Sequence, residues 1–270
     1  MTRHLSIEWP DATPFEDRRG GGPIRILAVS DQLDPSLADV RNRHGMGPID
    51  LIVGCGDLDC DDLAFLADAF NAPLVYVLGN HDADARWNEC QSYCPDPIGS
   101  GSVRREVGIA LAGLSWPGRR GRRVSRSERT AWGQALRLTL RRLGRREPVI
   151  LVSHVPPRGA GDCPTDRYHR GFAGYRWLMR RLRPPLWLHG HTPLAATDEW
   201  YVDVGETAVV NATGSVVIEI WAPGSWGSNR SGSRASGTPA PGSATRGSAT
   251  RGSPAPASRG PQPRARDGRG

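Results

Sequence analysis

Nowhere in its 270 residues does the chain hold an apolar run near the ~18 residues that a membrane-spanning helix needs. A helical membrane protein is thereby excluded, and a soluble one is expected. Residues 1–22 are polar, charged and proline-containing, and they lack the apolar stretch of roughly 7–15 residues that marks a secretory signal. A cytoplasmic location follows as the expectation. Cysteine is sparse: Cys55, Cys60, Cys90, Cys94 and Cys163 are odd in number and form no paired Cys-x-x-Cys zinc pattern, so they read as reduced thiols. Lysine is absent altogether. All 35 basic residues are arginine, a pattern that reflects coding bias more than a binding role.

The formal charge of +7 is equally uninformative about the folded body. From residue 223 onward eight arginines (Arg230, Arg234, Arg246, Arg251, Arg259, Arg264, Arg266 and Arg269) face one acid, Asp267, which accounts for all of it. Apart from Trp226, Asn229 and Gln262 that segment is otherwise Gly, Ser, Pro, Ala and Thr, with Gly-Ser-Ala-Thr-Arg repeated at 242–246 and 247–251. Too little apolar surface is present to offset the entropy of ordering, so a disordered tail over 223–270 is expected. Its charge permits a nucleic-acid contact, a weaker reading than a solvated tail. Residues 1–22 read as an N-terminal extension, leaving 23–222 as the folded domain.

What is present is an alternation of short apolar runs and helical spacing. Runs at 24–29, 51–53, 74–78, 107–114, 149–152 and 186–188 predict buried strands. Apolar spacing predicts helices over 37–43, 61–70, 127–143 and 175–182, with Ser127 as a cap. Runs at 207–210 and 216–220, around Thr213-Gly214, read as a hairpin or sandwich edge. The fold class is α/β with mixed sheets.

Polar residues stand directly after these strands: Ser30-Asp31, Gly56-Asp57, Gly79-Asn80-His81-Asp82, Ser153-His154 and His189-Gly190-His191. In an open α/β sheet the carboxyl ends of neighbouring strands share one crevice. Each dipeptide alone is an ordinary turn. Together they place aspartates side by side, which repel unless a cation neutralises them, with imidazoles and an amide oxygen able to complete its shell.

The ordered series resembles the calcineurin-like metallophosphoesterases, whose signature runs Asp-x-His, Gly-Asp, Gly-Asn-His-Asp/Glu, a lone His, then Gly-His-x-His. The resemblance spans about 23–220. It implies a four-layer αββα sandwich of two mixed sheets, and a phosphoesterase in which a metal-bound hydroxide attacks a phosphate mono- or diester of a small or nucleotide-like substrate. Asp57, Asn80, His154 and His191 match ligands of one metal position, and Mn, Fe or Zn suits them. At the other position Asp31 matches, but Leu33 and Pro193 stand where the family has histidines. Asp34 is the favoured substitute ligand, with capping of the helix after Pro35 as its other reading; His189 is expected to support the site by hydrogen bonding. His81 matches the catalytic histidine, with Asp82 as its orienting partner. Arg119, Arg120, Arg122, Arg123, Arg158 and His169 are weaker candidates for receiving an anionic substrate. The alternative is a degenerate binding module that retains one metal.

Overall fold

In the computed structural model of the chain, residues 2–18, 21–82, 93–120, 124–197 and 199–225 are described. The tail beyond 225, Cys90, Arg122 and Arg123 lie outside them. Two sheets carry the fold. The first joins β1 (Arg3–Glu8), β2 (Ile24–Ser30), β3 (Leu51–Gly54), β4 (Leu74–Tyr76) and β11 (Gly214–Trp221) in the order β1-β11-β2-β3-β4. The second joins β5 (Ser102–Glu106), β6 (Ile109–Leu114), β7 (Val149–Ser153), β8 (Leu186–His189), β9 (Tyr201–Val204) and β10 (Thr207–Asn211) in the order β5-β6-β7-β8-β10-β9. β2, β3 and β4 run parallel, as do β6, β7, β8 and β10, so the carboxyl ends of each set point one way.

The period-2 geometry of a strand sends successive side chains to opposite faces. Ile24, Ile26 and Ala28 of β2 therefore meet Ile150 and Val152 of β7 and Leu186 and Leu188 of β8 in a core between the sheets. Beyond the short helix α1 (Val40–Gly45) lies α2 (Cys60–Phe70), and Leu27 and Val29 face outward onto its Leu63 and Leu66. On the second sheet Leu151 and Trp187 pack against α3 (Glu128–Arg141) through Ala131 and Leu138, and against α4 (Ala173–Leu182) through Tyr175 and Leu178. Each fully buried Leu or Ile contributes about 1.5–3 kcal/mol. Three apolar layers separate four structural ones, as the αββα expectation requires. Burial on both faces is why these strands read as continuous apolar runs. No helix among the described residues is long and apolar enough to cross a membrane.

Four details differ from the sequence reading. β1, inside the stretch expected as an extension, is an edge strand paired with β11, and Trp9 behind it is 1% exposed. β10 and β11 are not a hairpin: β10 pairs with β8 and β9, β11 with β1 and β2, and the chain crosses between sheets at 212–213 because both runs are buried in different layers. The 107–114 run begins as a turn at Val107-Gly108, with φ 47° and 81°, and only its remainder is strand. Cys55, Cys94 and Cys163 are free thiols, but Cys60 is disulfide-bonded, which corrects the reading of all five as reduced. The chain at Tyr93 and Cys94 folds back onto the start of α2, an approach that sequence spacing does not reveal.

Candidate metal centre at the strand ends

The loops after β2, β3, β4, β7 and β8 converge. Asp31, Asp57 and His191 adopt left-handed backbone conformations with φ of 65°, 56° and 64°. For non-glycine residues this costs about 1–3 kcal/mol each and persists where surrounding bonds fix it. The glycines beside them leave no room for a side chain: a Cβ on Gly79 would stand 2.2 Å from Asp57 Oδ1, and one on Gly190 1.9 Å from Ser30 Oγ and 2.5 Å from Asp31 Oδ2.

His154, fully buried, has Nδ1 2.8 Å from the Cys55 carbonyl. That bond puts a proton on Nδ1 and turns Nε2 toward Asp57 Oδ2 at 3.2 Å and Asn80 Oδ1 at 3.0 Å, where it donates when protonated and offers a lone pair when neutral. His191 donates from Nε2 to the Tyr168 carbonyl at 3.1 Å, which frees Nδ1. Donor atoms of Asp57, His154 and His191 all lie within 4.8 Å of one another. With His154 neutral, a carboxylate, an amide oxygen and two imidazole lone pairs face one point and repel each other without a cation, and they fit a divalent metal ion.

Electrostatics carry the same message. Burial would raise the Asp57 carboxyl, but the hydrogen bond and charge of His154, with the His81 amide, outweigh it and hold Asp57 below its ordinary value. Burial would likewise lower His154, yet Asp57 and Asp31 drive it up to about 9. A proton on His154 thus supplies the positive charge that a cation would otherwise provide. His191 is pushed down to about 3 by burial and the neighbouring His154 charge, so it is a neutral donor.

Among the described residues the second position is not formed. Asp31 Oδ2 accepts from the His191 amide and Thr213 Oγ1, each at 3.0 Å. Leu33 packs beside the outer apolar layer of the first sheet, and Pro193 opens the short turn Leu194–Ala196. Asp34 is the cap, not the substitute ligand: Oδ1 accepts from Ser36 N at 2.9 Å and Oδ2 from Ser215 Oγ at 2.8 Å, as its place before Pro35 allows. His189 continues the outward side of β8 and faces Gly161, whose Cβ would meet Nε2 at 2.5 Å; its Nδ1 bonds the Gly190 carbonyl at 2.9 Å. Among the described residues, none fits beside Asp31 as a ligand of a second cation.

His81 stands at the mouth with its side chain 71% exposed, Nε2 3.9 Å from Asp57 Oδ2, and its amide bonded to Asp57 Oδ1 at 2.8 Å. Asp82 does not orient that ring. Its buried Oδ2 accepts from Asp57 N at 2.9 Å and Gly79 N at 2.7 Å, bracing the loops after β3 and β4, and burial with the nearby Asp57 charge raises it to about 6. Arg158 is tied to Glu128 at 3.2 Å and to the Gly171 carbonyl, and Arg119 lies exposed on its loop. His169 is brought in: it pairs with Asp166, and its ring centroid is 5.0 Å from that of His191.

Comparison with known proteins settles the family. A profile described as calcineurin-like phosphoesterase matches residues 24–195, which contain every strand-end motif named above. The chain belongs to the calcineurin-like phosphoesterase family. The protein TT1561 of Thermus thermophilus is similar in fold at 18% identity and TM-score 0.51, covering 71% of this chain and 90% of that one. A dimetal phosphatase from Danio rerio gives 16% identity and TM-score 0.46, covering 72% and 88%. No curated protein matches in sequence. Within this calcineurin-like chain three site neighbours escaped the motif reading. Trp116, whose ring centroid is 5.1 Å from that of His191, follows β6 and was signalled by the same strand-end rule. Thr213 stands in the same way just after β10, whereas Tyr168 belongs to a loop with no such signal.

Proposed function

We propose that the chain is a metal-dependent phosphoesterase that hydrolyses a mono- or diester of a small or nucleotide-like alcohol. The convergence of Asp57, Asn80, His154 and His191 carries this reading. A divalent cation bound there would supply Lewis acidity, drawing charge from a phosphoryl oxygen and making water acidic enough to act as nucleophile near neutral pH. Asp57 offers the only anionic donor in the set, Asn80 and the two histidines are neutral, and the bound cation therefore keeps net positive charge for a phosphate. His81, anchored by its amide and open to solvent, is positioned to hand a proton to the leaving oxygen. Asp82 and Cys55 act from behind, through backbone and ring nitrogen, to keep Asp57 and His154 aimed. Turnover of an aryl phosphodiester and an aryl phosphomonoester with added manganese tests the proposal. Activity no greater than that of the Asp57→Ala, Asn80→Ala double variant would sink it.

A second reading follows from Leu33, Pro193 and the capping role of Asp34: a binding module that retains one metal without hydrolysis. Metal bound by the wild type but not by the double variant, with no turnover of any phosphoester, selects it.

A further inference from the structure

The segment between β7 and α4 crosses the site as a built loop. Asp162, 8% exposed, closes it by accepting from Gly159 N and Gly171 N, both at 2.8 Å. Arg126 fastens its tip, donating to the carbonyls of Arg167, Tyr168 and Arg170 while lying over the Phe172 ring at 4.7 Å. Held in this way, one residue of the tip meets two of the four metal-facing side chains. The Tyr168 hydroxyl accepts from Asn80 Nδ2 at 3.0 Å, and the Tyr168 carbonyl accepts from His191 Nε2 at 3.1 Å.

We infer that Tyr168 is a positioning residue for the metal centre, orienting Asn80 through its hydroxyl and His191 through its backbone. An amide side chain has one donor end and one acceptor end, and rotation by half a turn would present NH2 to the cation. The Tyr168 oxygen anchors the NH2 end and leaves Oδ1 on the side of His154 Nε2, 3.0 Å away. The carbonyl does the corresponding work for His191, because a ring that donates from Nε2 keeps its lone pair on Nδ1. Trp116 holds the arrangement from the side, its ring centroid 6.5 Å from that of Tyr168 and 5.1 Å from that of His191. The inference rests on the metal site proposed above and adds to it a residue from outside the strand-end motifs.

Cobalt titration of the whole chain tests it, read by visible absorption and by dissociation constant. Loss of an outer-shell hydrogen bond costs about tenfold to hundredfold in metal affinity, so Tyr168→Phe, which keeps ring and backbone, is expected to weaken cobalt by that factor and alter its absorption. The metal-free variant should unfold at the wild-type temperature. In an Asn80→Asp background either oxygen can face the metal, so there the Tyr168→Phe change should cost less than about threefold. Wild-type affinity and spectrum in Tyr168→Phe would overturn the inference alone. An equal loss in both backgrounds would also overturn it, by showing a general structural role. A wild-type chain that binds no cobalt would overturn it together with the functional reading beneath it.

Discussion

Replacing Asp82 by alanine separates two roles that the sequence allows for it. In the structure its buried Oδ2 takes hydrogen bonds from the amides of Asp57 and Gly79 at 2.9 and 2.7 Å. Alanine leaves both donors without a partner, and an unsatisfied buried group costs about 1–3 kcal/mol, so Asp82→Ala should lose about 2–6 kcal/mol of unfolding free energy. Asparagine keeps an acceptor oxygen and should lose less. The charge has its own signature. Burial holds Asp82 at about 6 against an ordinary 3.8, so below 3.8 both folded and unfolded chains carry the proton, and the stability this confers is lost as pH rises through 6. The displacement corresponds to about 3 kcal/mol, at 1.36 kcal/mol per pH unit. Wild type minus Asp82→Asn stability should therefore shift toward the variant by about that amount between about pH 3 and pH 8. Urea unfolding of the metal-free proteins measures both effects. If Asp82 instead oriented His81, alanine would leave stability and metal affinity intact and change only turnover; a loss under about 0.5 kcal/mol would refute the bracing role.

Three further outcomes follow from the same geometry. His154, raised to about 9, must give up its proton to ligate, so metal affinity should rise up to about tenfold per pH unit between 7 and 9, with close to one proton released; calorimetry in buffers of different ionisation enthalpy reads this directly. Asp34→Ala should cost about 1 kcal/mol as a lost cap and leave the metal content per chain unchanged, whereas lost metal would restore it as a ligand. If the arginine-rich tail contacts nucleic acid, binding should weaken steeply with salt and vanish on truncation after Trp221, and binding retained by the truncated chain would remove that role from the tail.

The parallel strands were legible because burial on both faces makes them unbroken apolar runs, as in Ile24–Ser30 and Val149–Ser153. Site residues directly after those strands were legible for the same reason: once the strands are placed, their ends must converge. What the sequence hid depended on distance in the chain. β1 carries its signal in Leu5 and Ile7 alone, and becomes a strand by pairing with residues more than two hundred positions away. Asp34 and Asp82 are carboxylates at sites where a ligand, a cap and a brace look alike in one dimension; only their partners Ser36, Ser215, Asp57 and Gly79 distinguish them. Tyr168 sits in a loop whose course is set by Asp162 and Arg126, and nothing in the local spelling aims it at Asn80.

Anomalous scattering at the manganese edge, from crystals grown with that metal, locates and counts the cations at the strand ends. One peak in coordinating contact with Asp57, Asn80, His154 and His191, and none beside Asp31 and Asp34, is the predicted result. No peak among those four residues, or a second of equal height at Asp31, would rule out a single cation held by Asp57, Asn80, His154 and His191.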